Sequence, residues 1–247
     1  MIRHVVITGA AGGIGYTLVT VFRSAGYDVI ATDCVTHPDS LPCNSYIQAD
    51  LGRFATDRAY AGDFLAKIRD LLEGNGLHAL INNAAVQILG GAESLSRKDW
   101  QQTLDINLLV PFFLTQGLLP ELEATTGSVI NIGSIHARLT KKNFVAYATS
   151  KAGLAGLTRA LAVDLGSRVR VNAIEPAAIG TPMLDSGFMD NPLALLALNE
   201  YHPIGRIGRP EEVATLALRL VDSDIGFLTG ACLSIDGGIG SRLHDPD

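Results

Sequence analysis

The chain has 247 residues, 47% of them hydrophobic, and a formal net charge of −6 at pH 7. That length buries a substantial core without metals or cross-links, and the scattered lysines and arginines argue against the basic footprint of a nucleic-acid binder. The three cysteines, Cys34, Cys43 and Cys232, form no C-x-x-C pair and leave one odd, which fits a reducing compartment rather than a disulfide scaffold.

The opening "MIRHVVITGA" enters a β-branched run at once, without signal-peptide character, and no apolar stretch reaches membrane-spanning length. A cytoplasmic location with no membrane attachment is expected. The six histidines lack metal-ligand spacing, so no metal site is expected either.

Along the chain, "HVVITG" reads as a strand, "GYTLVTVFRSAG" as a helix and "YDVIATD" as a strand. A polar loop and a helix through "AGDFLAKIRDLLEG" follow. Then come "HALINNA" as strand, Lys98 to Leu119 as one helix, "GSVINIGS" as strand and Phe144 to Leu165 as helix. "RVRVNAIEP", a helix opening at "RPEEVA" and a last strand "ACLSID" complete the series. This β-α alternation predicts a Rossmann-type doubly wound sheet of about seven parallel strands with helices on both faces. No linker interrupts it, so residues 1–247 are expected to form a single domain. The stretch 183–207, with Leu184, Phe188, Met189, Leu193 and Leu196, departs from the rhythm and is expected to form a lid beyond the carboxyl end of a strand.

"VVITGAAGGIGYTLV" places a glycine-rich turn between a strand and a helix. Gly9, Gly13 and Gly15 permit a tight turn, and the helix N-terminus behind it offers free N–H groups to a pyrophosphate. No Gly-Lys-Ser/Thr follows, which disfavours a nucleoside-triphosphate loop. Asp33, ending the second strand, stands where an acid meets the adenosine ribose hydroxyls and repels a 2′-phosphate. Since no Arg or Lys occurs from Cys34 to His37, NAD is expected rather than NADP.

Tyr147 and Lys151 lie four apart and share a helical face. A secondary alcohol releases hydride only as its O–H proton leaves, and a phenol with a pKa of about 10 needs help to take that proton. An ammonium one turn away favours the phenolate.

Taken together, these motifs resemble the classical short-chain dehydrogenase/reductase family from end to end. "TGAAGGIG" is similar to its TGxxxGxG turn, "ADL" at Ala49 to Leu51 to its adenine-contacting segment and "NNAA" at Asn82 to Ala85 to its NNAG. Ser134 with "YATSK" resembles its Ser and YxxxK, and "EPAAIGTPM" its PGxxxT segment. The resemblance implies hydride transfer with Tyr147 as general acid/base, Lys151 also holding the nicotinamide ribose, Ser134 binding the substrate oxygen and Asn107 supporting a water path. It implies cofactor contacts at Gly9, Gly13, Ile14, Gly15, Asp33, Asp50, Leu51, Asn83, Tyr147, Lys151, Ile179 and Thr181, and a homo-oligomer, dimer or tetramer, paired through the helix carrying Ala152, Gly153, Ala155 and Gly156.

The sequence departs at Ala85 and Ala177, where the family has glycine; Ala177 threatens the backbone beside the nicotinamide. His136 is read as pocket wall, and Arg138, Lys141 and Lys142 as a small basic cluster near the mouth. The expected function is therefore an NAD-dependent dehydrogenase of small to medium secondary alcohols or ketones. The alternatives are an NADPH-linked 3-oxoacyl carrier-protein reductase-like enzyme and a non-catalytic NAD(H)-sensing binding protein.

Overall fold

The chain is described by a computed structural model over residues 2–186, 188 and 192–243. Strand β1 (Arg3–Thr8) passes through the glycine turn into α1 (Gly13–Ser24), followed by β2 (Tyr27–Asp33) and β3 (Ser45–Gln48). Helices α2 (Leu51–Thr56) and α3 (Arg58–Leu72) precede β4 (Ala79–Asn82). Next come α4 (Arg97–Leu104), a π-helical turn (Asp105–Leu109), α5 (Val110–Gly117), α6 (Leu119–Glu123) and β5 (Ser128–Ile132). A 3-10 turn (Ile135–Ala137) and the long α7 (Val145–Leu165) lead to β6 (Arg170–Pro176). Helices α8 (Pro182–Ser186), α9 (Pro192–Tyr201) and α10 (Pro210–Val221) precede β7 (Cys232–Ile235).

The strands form one seven-stranded parallel sheet in the order β3-β2-β1-β4-β5-β6-β7. Alternate side chains of one strand face opposite layers. Val5 and Ile7 of β1 join the core under α1 and α10, whereas Val6 joins the core under α2, α3, α5 and α7. Chain order reverses between β1 and β4, which opens a crevice at their carboxyl ends. A buried polar chain crosses the sheet beside it: Asn82 donates to Asn131 (2.9 Å), and Asn131 donates to the Thr158 hydroxyl of α7 (2.9 Å).

Two local expectations are corrected. Six strands are legible as apolar runs; the seventh, β3, lies inside the stretch read as polar loop, because its four residues "SYIQ" bury only Ile47. The helix read from Lys98 to Leu119 is not continuous. Pro111 has no N–H to give and its ring would crowd the carbonyl four residues back, at Asn107; the helix widens there into the π turn, where Val110 N–H bonds the Asp105 carbonyl. In the stretch 183–207, expected to form a lid, α8 and α9 supply helical structure and Leu193 is 77% exposed. Met189 and the Leu196 side chain lie outside the described residues.

Gly15 tests the packing of the first turn. A Cβ there would collide with the Gly9 carbonyl. Gly15→Ala is expected to lower stability by about 1–3 kcal/mol in urea denaturation, the usual cost of overpacking; an unchanged midpoint would contradict this packing.

Candidate active site

The glycine turn is held from both sides of the crevice. Gly9 adopts φ +63°, and a Cβ there would come within 2.8 Å of Ala84 Cα. Asn83 Nδ2 donates to the carbonyls of Thr8 and Gly9, both at 3.0 Å, and the Thr8 hydroxyl accepts from the N–H groups of Asn83 and Ala84. Asn83 therefore shapes the turn through its own side chain. No side chain caps α1 at Gly12, so the first-turn N–H groups carry the positive end of the helix dipole without a protein acceptor. Ile14 packs from that turn onto the core.

Asp33 stands at the rim. Its carboxylate accepts from Ala11 N–H at 3.0 Å and Cys34 N–H at 2.7 Å, and among the described residues it makes no ion pair. Asp50 caps α2, accepting from Arg53 N–H at 3.1 Å, while its own N–H donates to the Tyr60 hydroxyl. Leu51 beneath it is buried.

Across the crevice, α7 carries Tyr147 and Lys151. Lys151 is 3% exposed, and its Nζ donates to the Ile132 carbonyl of β5 at 2.8 Å, lying 5.7 Å from the Tyr147 ring centroid. The electrostatics differ from expectation. Burial pushes the Tyr147 phenol up, the hydrogen-bonded Ser134 hydroxyl pulls it down, and Lys151 is itself lowered to about 8 by desolvation. With its charge turned toward Ile132, the lysine is not the group that lowers the phenol in this state.

Ser134 sits two residues beyond β5 as the N-cap of the 3-10 turn, its oxygen accepting from His136 N–H at 3.1 Å. Asn107, in the π turn and 1% exposed, accepts from Val86 N–H (2.8 Å) and donates to the Val86 carbonyl (2.9 Å) and the Ser150 hydroxyl (3.0 Å). It thereby ties the segment after β4 to α7, one residue before Lys151. Ile179 is buried where its segment pairs with Gly208. Thr181 caps α8 through Leu184 N–H, with its methyl group against Gly13. Ala177 needs no positive φ, and its N–H bonds the Ile235 carbonyl at 3.2 Å.

His136 stacks on Phe144 with centroids 4.3 Å apart and meets Tyr147 edge-on at 5.7 Å; burial, then Lys141, holds its imidazole down at about 4. The basic cluster divides. Arg138 turns from the mouth to pair with Glu175 at 3.1 Å and with the Ser234 hydroxyl, leaving Lys141 and Lys142 exposed. Glu175 is a residue the sequence reading passed over, although an acid within the apolar run of a central strand was the available signal.

The residues fit a nicotinamide dinucleotide. An uncapped helix N-terminus, a rim carboxylate and a buried ammonium with one protein acceptor match a pyrophosphate, one ribose and the other. A family model described as enoyl-(acyl carrier protein) reductase matches residues 9–240. Protein FixR of Bradyrhizobium diazoefficiens is 35% identical over 96% of this chain and 86% of its own length. The trans-4-hydroxycyclohexanecarboxylate dehydrogenase of Sinomonas cyclohexanicum is 33% identical over 94% and 90%. Ligand-free aldohexose dehydrogenase of Thermoplasma acidophilum superimposes with a TM-score of 0.92 at 29% identity, covering 100% of this chain and 97% of that one. Neighbours at 98% and 100% coverage hold either nucleotide: ElxO has NADP bound (TM-score 0.87, 26% identity) and 4-hydroxyisoleucine dehydrogenase has NADH (0.86, 25%). The chain belongs to the classical short-chain dehydrogenase/reductase family and is an oxidoreductase of alcohol or ketone groups.

Lys151 gives a pH signature. Its folded-state pKa near 8 lies below the ordinary 10.5, so between these values the unfolded chain holds a proton that the folded protein has released, and stability from this group rises with pH. Without nucleotide, the stability of the wild type relative to Lys151→Met is expected to increase from about pH 7 to about pH 10 in urea denaturation. A pH-independent difference would contradict the depressed value.

Proposed function

We propose that this protein transfers hydride between NAD(H) and a small to medium secondary alcohol or ketone, with Tyr147 as general acid/base. The observation that carries the reading is the buried Lys151 ammonium, one helical turn from Tyr147 and bonded, among the described residues, to the Ile132 carbonyl alone, together with the uncapped N-terminus of α1. When bound, the nicotinamide accepts or supplies the hydride. Tyr147 takes the hydroxyl proton as the carbinol C–H pair departs, so the alcohol loses two electrons and becomes a ketone; reduction reverses the transfers. Ser134 hydrogen-bonds the substrate oxygen and stabilises its developing negative charge. The remaining Lys151 N–H groups hold the adjacent ribose. Asn107 acts through position, fixing α7 and the post-β4 segment together.

Asp33 supports NAD. Its carboxylate accepts ribose hydroxyls and repels a 2′-phosphate, with no cation paired to it among the described residues. On α7, Gly153 and Ala155 pack within the chain, whereas Ala152 is exposed, Gly156 has open space above it and Val163 is 84% exposed. That face supports a homo-oligomer, dimer or tetramer.

Fluorescence titration is expected to give at least about tenfold tighter binding of NADH than NADPH, with Asp33→Ala narrowing the gap; equal affinities would contradict the assignment. Tyr147→Phe is expected to lower kcat by about 10²-fold or more across an alcohol panel while NADH affinity changes little. Retained turnover would remove Tyr147 from the mechanism.

A further inference from the structure

Lys141 is an exposed cation. Its Nζ lies 4.9 Å from the Phe144 ring centroid and 5.5 Å from that of Phe188, so it bridges the loop after Ser134 and the start of the lid. Among the described residues it makes no ion pair and no side-chain hydrogen bond; Asp185, one turn before Phe188, is not within ion-pair reach. Of the other two cations of this loop, Arg138 is occupied by Glu175 and Ser234, and Lys142 is exposed without an aromatic contact among the described residues.

A continuous aromatic wall joins this ammonium to the reacting centre. Phe144, 7% exposed, stacks on His136, and both meet the Tyr147 ring edge-on, at 6.0 and 5.7 Å. The ammonium is thus one ring removed from Tyr147, and the wall between them carries no charge, since His136 is neutral near pH 7. Apolar walls with one charge at the far end suit a carbon skeleton that ends in a group of opposite sign.

We propose that Lys141 selects substrates carrying a carboxylate several bonds from the reacting carbon: secondary hydroxy acids and the corresponding oxo acids. The inference rests on the hydride-transfer reading above. The hydroxyl meets Tyr147 and Ser134, the skeleton lies along Phe144, and the carboxylate meets Lys141 at the edge of the lid.

The test is steady-state kinetics with NAD on a graded series of secondary hydroxycarboxylates, each beside its primary amide. The wild type is expected to favour the carboxylate by about tenfold in kcat/KM, mainly through KM, with the preference shrinking at high salt. Lys141→Gln is expected to remove most of that ratio, and Lys141→Arg to keep it. Because the readout is a ratio on one skeleton, a general loss of folding does not imitate it. A wild-type ratio near one, or a ratio unchanged in Lys141→Gln, overturns the inference. Turnover confined to other secondary alcohols overturns it alone, whereas no turnover of any alcohol and no NADH binding overturn the hydride-transfer reading with it.

Discussion

The bond from the Lys151 ammonium to the Ile132 carbonyl is the constraint on which the site depends. A charged amine nearly free of solvent is costly, and one carbonyl offsets only part of that cost. The bond fixes the register of α7 on β5, and with it the height of Tyr147 above the strand end that carries Ser134. Among the described residues it also leaves the lysine with one acceptor, which on the proposed reading makes ribose hydroxyls gained partners rather than merely tolerated ones.

The surrounding structure supports that strained arrangement through polar bonds rather than packing. Asn107 reaches α7 only because the π turn aims it there, and the turn exists because Pro111 forbids an unbroken helix. Asn83 performs a similar task on the opposite wall, holding the glycine turn to β4. Glu175 and Arg138 fasten the Ser134 turn to β6, and Ser234 extends the link to β7. These bonds join separate elements, so Ser134, Tyr147 and Lys151 are tied to the sheet rather than to a free loop.

Much of this was legible in the sequence because it obeys short-range rules. The alternation of apolar runs specified the doubly wound sheet, and the glycine spacing, Asp33 and the Tyr147–Lys151 interval marked the crevice. What escaped reading depended on distant partners. Strand β3 is an edge strand with one buried residue, and no run of four polar-to-apolar residues announces it. The π turn depends on what Pro111 does to a helical pattern that otherwise runs unbroken from Lys98 to Leu119. The direction of the Tyr147 shift could not be read from spacing, because the lysine's charge is directed by Ile132, a residue from another element. Arg138 reads from sequence as part of a small basic cluster near the mouth, because its partner Glu175 lies thirty-seven residues away.

The segment between Ser134 and Phe144 is fastened at both ends. Ser134 closes the 3-10 turn, while Asn143, in the left-handed region at φ 69°, gives its carbonyl to Gly90 N–H at 2.8 Å, next to the Gly90–Phe144 bridge. Between these anchors, Leu139 and Lys142 are exposed and Lys141 rests, among the described residues, on the faces of Phe144 and Phe188. On the proposed hydride-transfer reading, such a span exchanges side chains, and so changes the compounds admitted, while the proton-transfer geometry on either side of it stays fixed. On that reading substrate range is separated from chemistry within a dozen residues, and a lineage built on this chain diversifies the first by point substitution without rebuilding the second.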